Sequence, residues 1–190
     1  MVTIIQSSSM LQYMRLVAEQ FEGRKDGELC LLCIRYKTDE DGEPILEART
    51  GKQKTTVREK WVKPSDDWEK VAAWARARNR DHFNIYMSWS LFRNQTRSKQ
   101  TVVASAAFVA DWDDQPRKVL LKPTLEVRTS PGRQQDIFIH EPIEFDRARD
   151  LYRGVARALG CDLVTSGDAS HVWRVPGSQN WPRADKNRDP

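Results

Sequence analysis

The stretch Phe108-Val109-Ala110-Asp111-Trp112-Asp113-Asp114 is the part of the chain from which its fold and chemistry are best inferred. Its apolar run predicts a buried strand, which we place over residues 102–112. Side chains alternate between faces along a strand, so Asp111 and Asp113 are expected on one side and Trp112 on the other, in the core. A divalent cation stabilises two adjacent anions, and Mg²⁺ and Mn²⁺ prefer such oxygen ligands. The alternative is a solvated strand end that runs into an acidic turn.

Composition indicates a globular protein with one hydrophobic core, because 39% of the 190 residues are apolar and 31% are charged. The N-terminus lacks the features of a signal peptide, and no apolar stretch is long enough to span a bilayer. We therefore expect a cytoplasmic protein with no membrane partner. The cysteines, Cys30, Cys33 and Cys161, are expected to be reduced. Cys30-Leu-Leu-Cys33 has the spacing of half a zinc site, but a buried structural pair is favoured because no second half follows.

Basic residues are clustered, although the formal net charge is only +4. The region 49–63 has six basic residues against one acid, and further clusters lie over 93–99 and 117–133. Such clusters favour binding of a polyanion such as nucleic acid, with ordinary solubilising charge as the alternative for any one of them. The candidate nucleic-acid-binding residues are Lys52, Lys54, Arg58, Arg93, Arg97 and Lys99.

The mixture of helical and strand-like segments predicts an α/β (α+β) domain. We expect helices over residues 11–21, about 66–80 with Ser65 as its cap, and 145–159, where Gly160 ends the helix. Strands are expected over 28–36, 45–48, 55–62, 83–89, 102–112, 125–129, 136–139, 163–164 and 172–175, with a basic loop over 91–100. We predict one catalytic domain over 1–190. It has an N-terminal α/β part (about 1–65), a motif-bearing part (about 66–182) and a frayed tail (183–190).

Two further motifs follow the aspartate strand. The turn Ser130-Pro-Gly132-Arg133 combines backbone N–H groups with a cation and is suited to hold a phosphate, unless it is a simple hairpin turn. The segment 168–180 supplies a third carboxylate, a cation and a Pro-Gly turn, or else it is an ordinary strand and turn. Two-metal phosphoryl transfer requires carboxylates for the ions, cations for the triphosphate and a shaped turn near the sugar.

With these motifs in this order, the sequence resembles archaeo-eukaryotic-type primases, specifically the RepB-like primases of plasmid and phage replication. That family carries an aspartate pair after an apolar strand, a Ser-Pro-Gly-Arg turn and a late Asp…Arg-x-Pro-Gly-Thr-x-Asn segment. Here the corresponding stretches are Val109-Ala-Asp111-Trp-Asp113, Ser130-Pro-Gly-Arg133 and Asp168…Arg174-Val-Pro-Gly-Ser178-Gln-Asn180. The upstream sequences Ala77-Arg-Asn79-Arg80 and Asn84-Ile-Tyr86 also fit, so the resemblance covers about residues 66–182.

The resemblance implies a DNA primase or primase-polymerase that makes short primers on single-stranded DNA from NTPs or dNTPs with two Mg²⁺ or Mn²⁺ ions. It implies a catalytic core with an antiparallel sheet like that of RNA-recognition domains, joined to a second small α/β unit. Asp111, Asp113 and Asp168 would be the metal-binding catalytic residues. Nucleotide contacts are expected from Ser130, Gly132, Arg133, Gln135, His171, Arg174, Ser178 and Asn180. A further partner would be a replicative helicase or a downstream helical domain.

The sequence departs from the family pattern in places: Gln135 stands where many of these primases carry histidine, His171 where arginine is common, and Ser178 where threonine is usual. Two other functions remain open. Acids on a strand also serve metal-dependent nucleases, and a non-catalytic module that binds single-stranded or origin DNA would share the basic clusters. A strand-transferring relaxase is disfavoured because it requires a histidine-rich metal site, whereas the three histidines here are scattered.

Overall fold

The computed structural model describes residues 3–4, 10–112, 121–130 and 133–181, and within these ranges the chain forms eight strands and four α-helices. The strands are β1 (Thr3–Ile4), β2 (Glu28–Tyr36), β3 (Thr55–Val62), β4 (Asn84–Phe92), β5 (Val102–Trp112), β6 (Leu125–Ser130), β7 (Arg133–Glu144) and β8 (Val172–Arg174). The helices are α1 (Met10–Glu19), α2 (Trp68–Arg80), α3 (Phe145–Leu159) and α4 (Leu163–Ser166), with a 3₁₀ turn over Lys99–Thr101. No helix among these residues is long and apolar enough to cross a bilayer.

The strands form one sheet in the order β1-β6-β7-β5-β4-β2-β3, and β8 pairs with β4. All pairings are antiparallel except the short parallel pairing of β1 with β6. One edge of β4 pairs with β2, while the other pairs with β5 along Ser90–Phe92 and with β8 along Tyr86–Ser88. Since β5 and β8 both run antiparallel to β4, they run in the same direction. Their C-terminal ends therefore lie at the same end of the sheet.

Helices pack on both faces of the sheet. On one face the α1 residue Tyr13 meets Trp89 of β4 edge-on at 5.7 Å, and its hydroxyl accepts a 2.9 Å hydrogen bond from the indole N–H. On the other face Phe108 and Trp112 of β5 pack with Tyr152 of α3. Alternation along β5 sends neighbouring side chains into these two different cores, which explains why residues 102–110 are all buried.

The cysteine prediction is confirmed for the pair on β2, since Cys30 and Cys33 are free thiols and both are buried. Burial raises the pKa of each of these thiols to about 12. They face opposite sides of the sheet, as Cys33 belongs to the core under α1 and α2 and Cys30 to a small cluster with Phe92.

The mixed α/β class and the bounds of β5 and α3 are as predicted. The helix α3 ends where expected because Gly160 adopts a left-handed conformation, with φ 73°, and donates its N–H to Ala156 O. Strands from both predicted parts of the chain lie in the one sheet, since β2 precedes residue 65 and pairs with β4. A boundary near residue 65 stays a prediction, and the tail over 183–190 lies outside the described residues.

Several local predictions were wrong. Residues 163–164 form the start of α4 rather than a strand, because Asp162 caps that helix by accepting a 2.8 Å hydrogen bond from Val164 N–H. The cap of α2 is Asp67, whose side chain accepts from Lys70 N–H, and not Ser65.

Two strand predictions also require correction. Residues 45–48 form only an isolated bridge, between Leu46 and Gln53, because the chain turns on both sides at Gly42 and Gly51, each with positive φ. The strand predicted over 136–139 extends over all of β7, because its two edges pair with β6 and β5. The strand predicted to end at Trp89 continues to Phe92, so the basic loop begins later than expected.

Candidate active site

Asp111 lies at the C-terminal end of β5, half-buried, on the side of the strand opposite Trp112. Its backbone N–H donates a 3.0 Å hydrogen bond to Ser166 Oγ of α4, which fixes the strand end against that helix. Trp112 is buried as predicted, and its indole N–H donates a 2.9 Å hydrogen bond to Asp136 Oδ2. The second predicted carboxylate of the pair, Asp113, lies outside the described residues.

Gln135 of β7 lies directly opposite Asp111, so the two side chains share a face of the sheet. Its side chain is only 7% exposed, and among the described residues its Oε1 atom has no hydrogen-bond partner. An unsatisfied buried acceptor costs about 1–3 kcal/mol, and in a native protein it points to a missing donor, water or ion. The Asp111 carboxylate and the Gln135 amide oxygen are both hard ligands, and this pair fits Mg²⁺ or Mn²⁺.

Asp168 lies in the turn that follows α4. Its Oδ1 accepts hydrogen bonds from the N–H and the hydroxyl of Ser170, at 2.9 and 2.7 Å, and its Oδ2 is 3.6 Å from Lys99 Nζ. Among residues 10–112, 121–130 and 133–181, no three His, Cys, Asp or Glu side chains are grouped closely enough to hold a metal ion. Because Asp113 is outside these ranges, the three-aspartate metal site stays a prediction.

Arg174, at the C-terminal end of β8, is held by two residues of β4. Its Nη1 donates to Asn84 Oδ1 and its Nη2 to Tyr86 Oη, both at 3.0 Å, and the guanidinium also lies 5.0 Å from the Tyr86 ring centroid. No carboxylate among the described residues is within ion-pair distance of it. Two of the five N–H donors of the guanidinium are therefore used in positioning, and its charge is available to an anion.

Two asparagines that the sequence analysis did not assign to the site hold the Pro-Gly turn after β8. Asn84 is fully buried, accepts from Trp181 N–H at 2.9 Å and donates to Trp181 O at 2.7 Å. Asn79 of α2 accepts from Gln179 N–H at 2.8 Å and donates to Gln179 O at 2.9 Å. The hydroxyl of Ser178 donates to Val175 O at 2.7 Å, so this predicted nucleotide contact also closes the turn. The signal that could have found Asn84 is an amide side chain at the first position of a mostly apolar strand.

The other predicted nucleotide-binding residues are spread over this end of the sheet. Ser130 and Arg133 pair across the β6–β7 hairpin, and Gly132 between them lies outside the described residues. His171 is half-buried and packs at 4.7 Å from the Trp173 ring, and burial lowers its pKa, opposed by Asp168. Asn180 is half-buried in the turn that Asn79 and Asn84 hold.

The predicted nucleic-acid-binding residues do not form one patch. Arg58 lies over the Phe83 ring on the face of α1 and α2, while Arg97 approaches Glu59 at 3.8 Å on the opposite face. Lys99 reaches Asp168 and so belongs to the candidate active site. The remaining three, Lys52, Lys54 and Arg93, are exposed on the loops before β3 and after β4.

A chain of hydrogen-bonded, buried hydroxyl groups connects helix α3 with the Asp168 turn. Tyr152 of α3 is 2.8 Å from Ser105 Oγ, Ser105 is 2.8 Å from Ser90 Oγ, and Ser90 donates at 2.6 Å to Ala169 O. These contacts tie the residue after Asp168 to strands β4 and β5 through fully or nearly fully buried groups. Packing of α3 and the position of the Asp168 turn are therefore coupled.

No protein-family model matches the sequence, and no curated protein is similar enough in sequence to be recognised as a relative. Solved structures are similar in fold. The archaeo-eukaryotic primase domain of the cyanophage S-2L primase-polymerase superposes with a TM-score of 0.58 at 16% identity, covering 87% of this chain and 81% of that one. The primase RepB′ superposes with a TM-score of 0.51 at 18% identity, covering 90% of this chain and 51% of that one.

Identities of 16–18% establish likeness of fold and leave the chemistry to be argued from this chain's own residues. The mixed sheet with helices on both faces and the superposition on these domains agree with the fold that the resemblance implies. This protein has the fold of the catalytic domain of archaeo-eukaryotic-type primases.

Proposed function

We propose that this protein is a DNA primase or primase-polymerase that synthesises short primers on single-stranded DNA. The observation that carries the proposal is the position of Asp111 on this fold, at the same end of the sheet as Arg174 and beside the buried Gln135 Oε1, which has no hydrogen-bond partner among the described residues. A carboxylate, a second hard oxygen and a positioned cation are the groups that nucleotidyl transfer requires.

In the proposed mechanism, Asp111, Asp113 and Asp168 would hold two Mg²⁺ or Mn²⁺ ions, which would supply charge stabilisation for the attacking primer 3′-hydroxyl and for the leaving pyrophosphate. Gln135 adds an oxygen on the same face as Asp111. Arg174 binds the triphosphate of the incoming nucleotide with the N–H groups that Asn84 and Tyr86 leave unused. No side-chain nucleophile takes part.

Arg133 and the Ser130–Gly132 turn are proposed to contact the same nucleotide from the β6–β7 hairpin. His171, Ser178 and Asn180 complete the proposed nucleotide pocket, and the exposed basic residues of the loops bind the template. The same proposal includes NTPs or dNTPs as substrates and a role in plasmid, phage or mobile-element replication. It also includes a helicase or helical-domain partner and a cytoplasmic location. These parts rest on the resemblance of the sequence to the primase family.

The test is primer synthesis on single-stranded DNA with labelled NTPs or dNTPs and Mg²⁺ or Mn²⁺. We expect short products from the unaltered protein. Asp111→Asn or Asp113→Asn should reduce them at least about 100-fold, because several kcal/mol of charge stabilisation would be lost. Asp150→Asn is the matched control, since Asp150 is an exposed carboxylate of α3 paired with Arg149. It should leave synthesis unchanged.

Two outcomes would contradict the proposal. Cleaved template in place of extended products would identify a metal-dependent nuclease. Absence of any product, with binding to single-stranded DNA intact, would identify a non-catalytic binding module.

A further inference from the structure

A groove of about 590 Å³ opens beside the candidate active site, between the β2–β3 connection and the turn that follows β8. Its volume lies in the range of small-molecule sites. Arg35, Lys37 and His82 line it with exposed side chains, and none of the described residues in its lining is acidic. Neither Arg35 nor Lys37 forms an ion pair with a carboxylate of the part of the chain that the structure describes. The groove therefore carries uncompensated positive charge and favours an anionic ligand.

The cationic side of the groove has a fixed backbone. Lys37 N–H donates to Lys54 O at 2.8 Å, and the buried Gln53 side chain donates to Lys37 O at 3.0 Å. The guanidinium of Arg35 lies 5.0 Å from the Phe83 ring centroid. The neighbouring acidic turn, 39–43, is not part of the lining, and Asp39 Oδ1 accepts hydrogen bonds from N–H groups of that turn.

The opposite side of the groove is aromatic and equally fixed. Three hydrogen bonds hold Trp181: its backbone N–H donates to Asn84 Oδ1, its backbone C=O accepts from Asn84 Nδ2, and its indole N–H donates to Asn79 O at 2.9 Å. The His82 ring stacks on Trp181 with centroids 4.1 Å apart and planes inclined by 29°. The two rings lie face to face, so this stack, the His82–Trp181 platform, offers a further ring only the outer face of one of its rings, and it has little rotamer freedom left to lose on binding.

The backbone at His82 is also unusual. This residue is exposed and has φ 63°, a left-handed conformation that is uncommon outside glycine. Glycine is the residue most often found in this conformation, but here it is a histidine, whose imidazole ring stacks on the Trp181 indole.

We propose that this groove binds one nucleotide unit of the single-stranded DNA template, with a backbone phosphate between Arg35 and Lys37 and the base stacked on the His82–Trp181 platform. Aromatic platforms beside positive charge are the usual means of binding single strands without sequence preference. Asn84 contacts both Trp181 and Arg174, so it couples the groove to the proposed nucleotide site. The assignment of the strand as template rests on the proposed function.

The phosphate contact is tested by fluorescence anisotropy of a labelled oligo(dT) in EDTA, where no metal-dependent step takes place. Arg35→Gln/Lys37→Gln should weaken binding about tenfold and lower the salt slope by about 0.7, as expected when one phosphate of a single strand is no longer neutralised. Arg76→Gln/Arg147→Gln removes the same charge from exposed helical positions outside the groove and should change affinity less than twofold. Equal effects of the two double variants would overturn the proposal.

Base stacking is tested with His82→Gly, which removes the ring and suits the positive φ, so that folding is retained. The unaltered protein should bind oligo(dT) more tightly than an abasic strand of equal charge, and His82→Gly should reduce that preference about fivefold or more. A preference that His82→Gly leaves intact would refute the platform. Competition by millimolar free dTTP that depends on Arg35 and Lys37 would instead identify a site for free nucleotides.

These results are separable from those on primer synthesis. Groove variants that bind oligo(dT) normally would overturn this inference even if Asp111→Asn abolishes synthesis. Loss of binding in the groove variants would uphold a single-strand site even if no primer synthesis is found.

Discussion

Replacement of Asn84 by alanine should both destabilise the protein and weaken its use of nucleotides. Asn84 is fully buried and makes three short hydrogen bonds, to Arg174 Nη1, Trp181 N and Trp181 O, at 3.0, 2.9 and 2.7 Å. The two neutral bonds contribute about 1 kcal/mol each and the charged one about 1.5–3 kcal/mol. Because Arg174 and Trp181 are half-buried, water can replace part of the lost hydrogen bonding. We therefore expect the free energy of unfolding to fall by about 2–3 kcal/mol. For a chain of this size that corresponds to about 5–10 °C in Tm.

The matched control is Asn79→Ala, which also removes three hydrogen bonds, two to the same turn at Gln179 N and O and one to Phe83 O, but does not touch Arg174. Thermal and urea denaturation should show losses of similar order for the two variants. At a temperature where both are folded, primer synthesis at limiting nucleotide should fall much further in Asn84→Ala. If both variants lost activity equally, Asn84 would act only through the turn; if Asn84→Ala unfolded within about 1 °C of the unaltered protein, the reasoning from its hydrogen bonds would be refuted.

Three further predictions concern the stability of the fold. Burial raises the pKa of Cys30 and Cys33 to about 12, so above pH 9 these thiols ionise in the unfolded chain before they do in the folded one. The contribution of these thiols to the free energy of unfolding is complete below about pH 9. It falls as the pH rises towards 12, by up to about 1.4 kcal/mol per pH unit for each thiol. Urea denaturation of Cys30→Ala/Cys33→Ala, measured from pH 8 to 11, should show a smaller decline than that of the unaltered protein. Asp136→Ala should cost about 2–3 kcal/mol in urea denaturation, because it leaves the buried Trp112 indole N–H without its acceptor; an unchanged midpoint would contradict the role given to this bond. Gly160→Ala should cost about 1 kcal/mol through backbone strain alone, since no atom would lie within 4 Å of the new Cβ, and a stabilising effect would show that the helix end had rearranged.

Elements whose signals are local were predicted well. The continuous apolar run of β5 and the αL glycine that ends α3 both act within a few residues, and both elements have the predicted bounds. The strand predicted at Leu163 and Val164 was wrong because apolar branched residues are typical of buried strands, whereas these two side chains are exposed, Val164 by 80%, and Asp162 caps a helix. Local chemistry at the cap outweighed β-propensity in that segment.

The candidate site could be predicted only in part, because its organisation depends on contacts between distant residues. Asp111, Arg174 and the Pro-Gly turn were visible as motifs. The roles of Asn84 and Gln135 depend on partners 97 positions away in one case and on strand register in the other. Neither long-range pairing nor register follows from the residue pattern of one strand alone.

The short strand β8 has a consequence for how the chain folds. Until residues 172–181 have been synthesised, the Tyr86–Ser88 segment of β4 has no partner on one edge, and Asn84 has no hydrogen-bond partner there. A nascent or truncated chain that ends before Val172 would expose this unpaired edge in the centre of an otherwise formed sheet and invite pairing between molecules. The same late segment that carries the arginine of the proposed nucleotide site therefore acts as the closing piece of the sheet. Incomplete chains should aggregate rather than accumulate as inactive, folded protein.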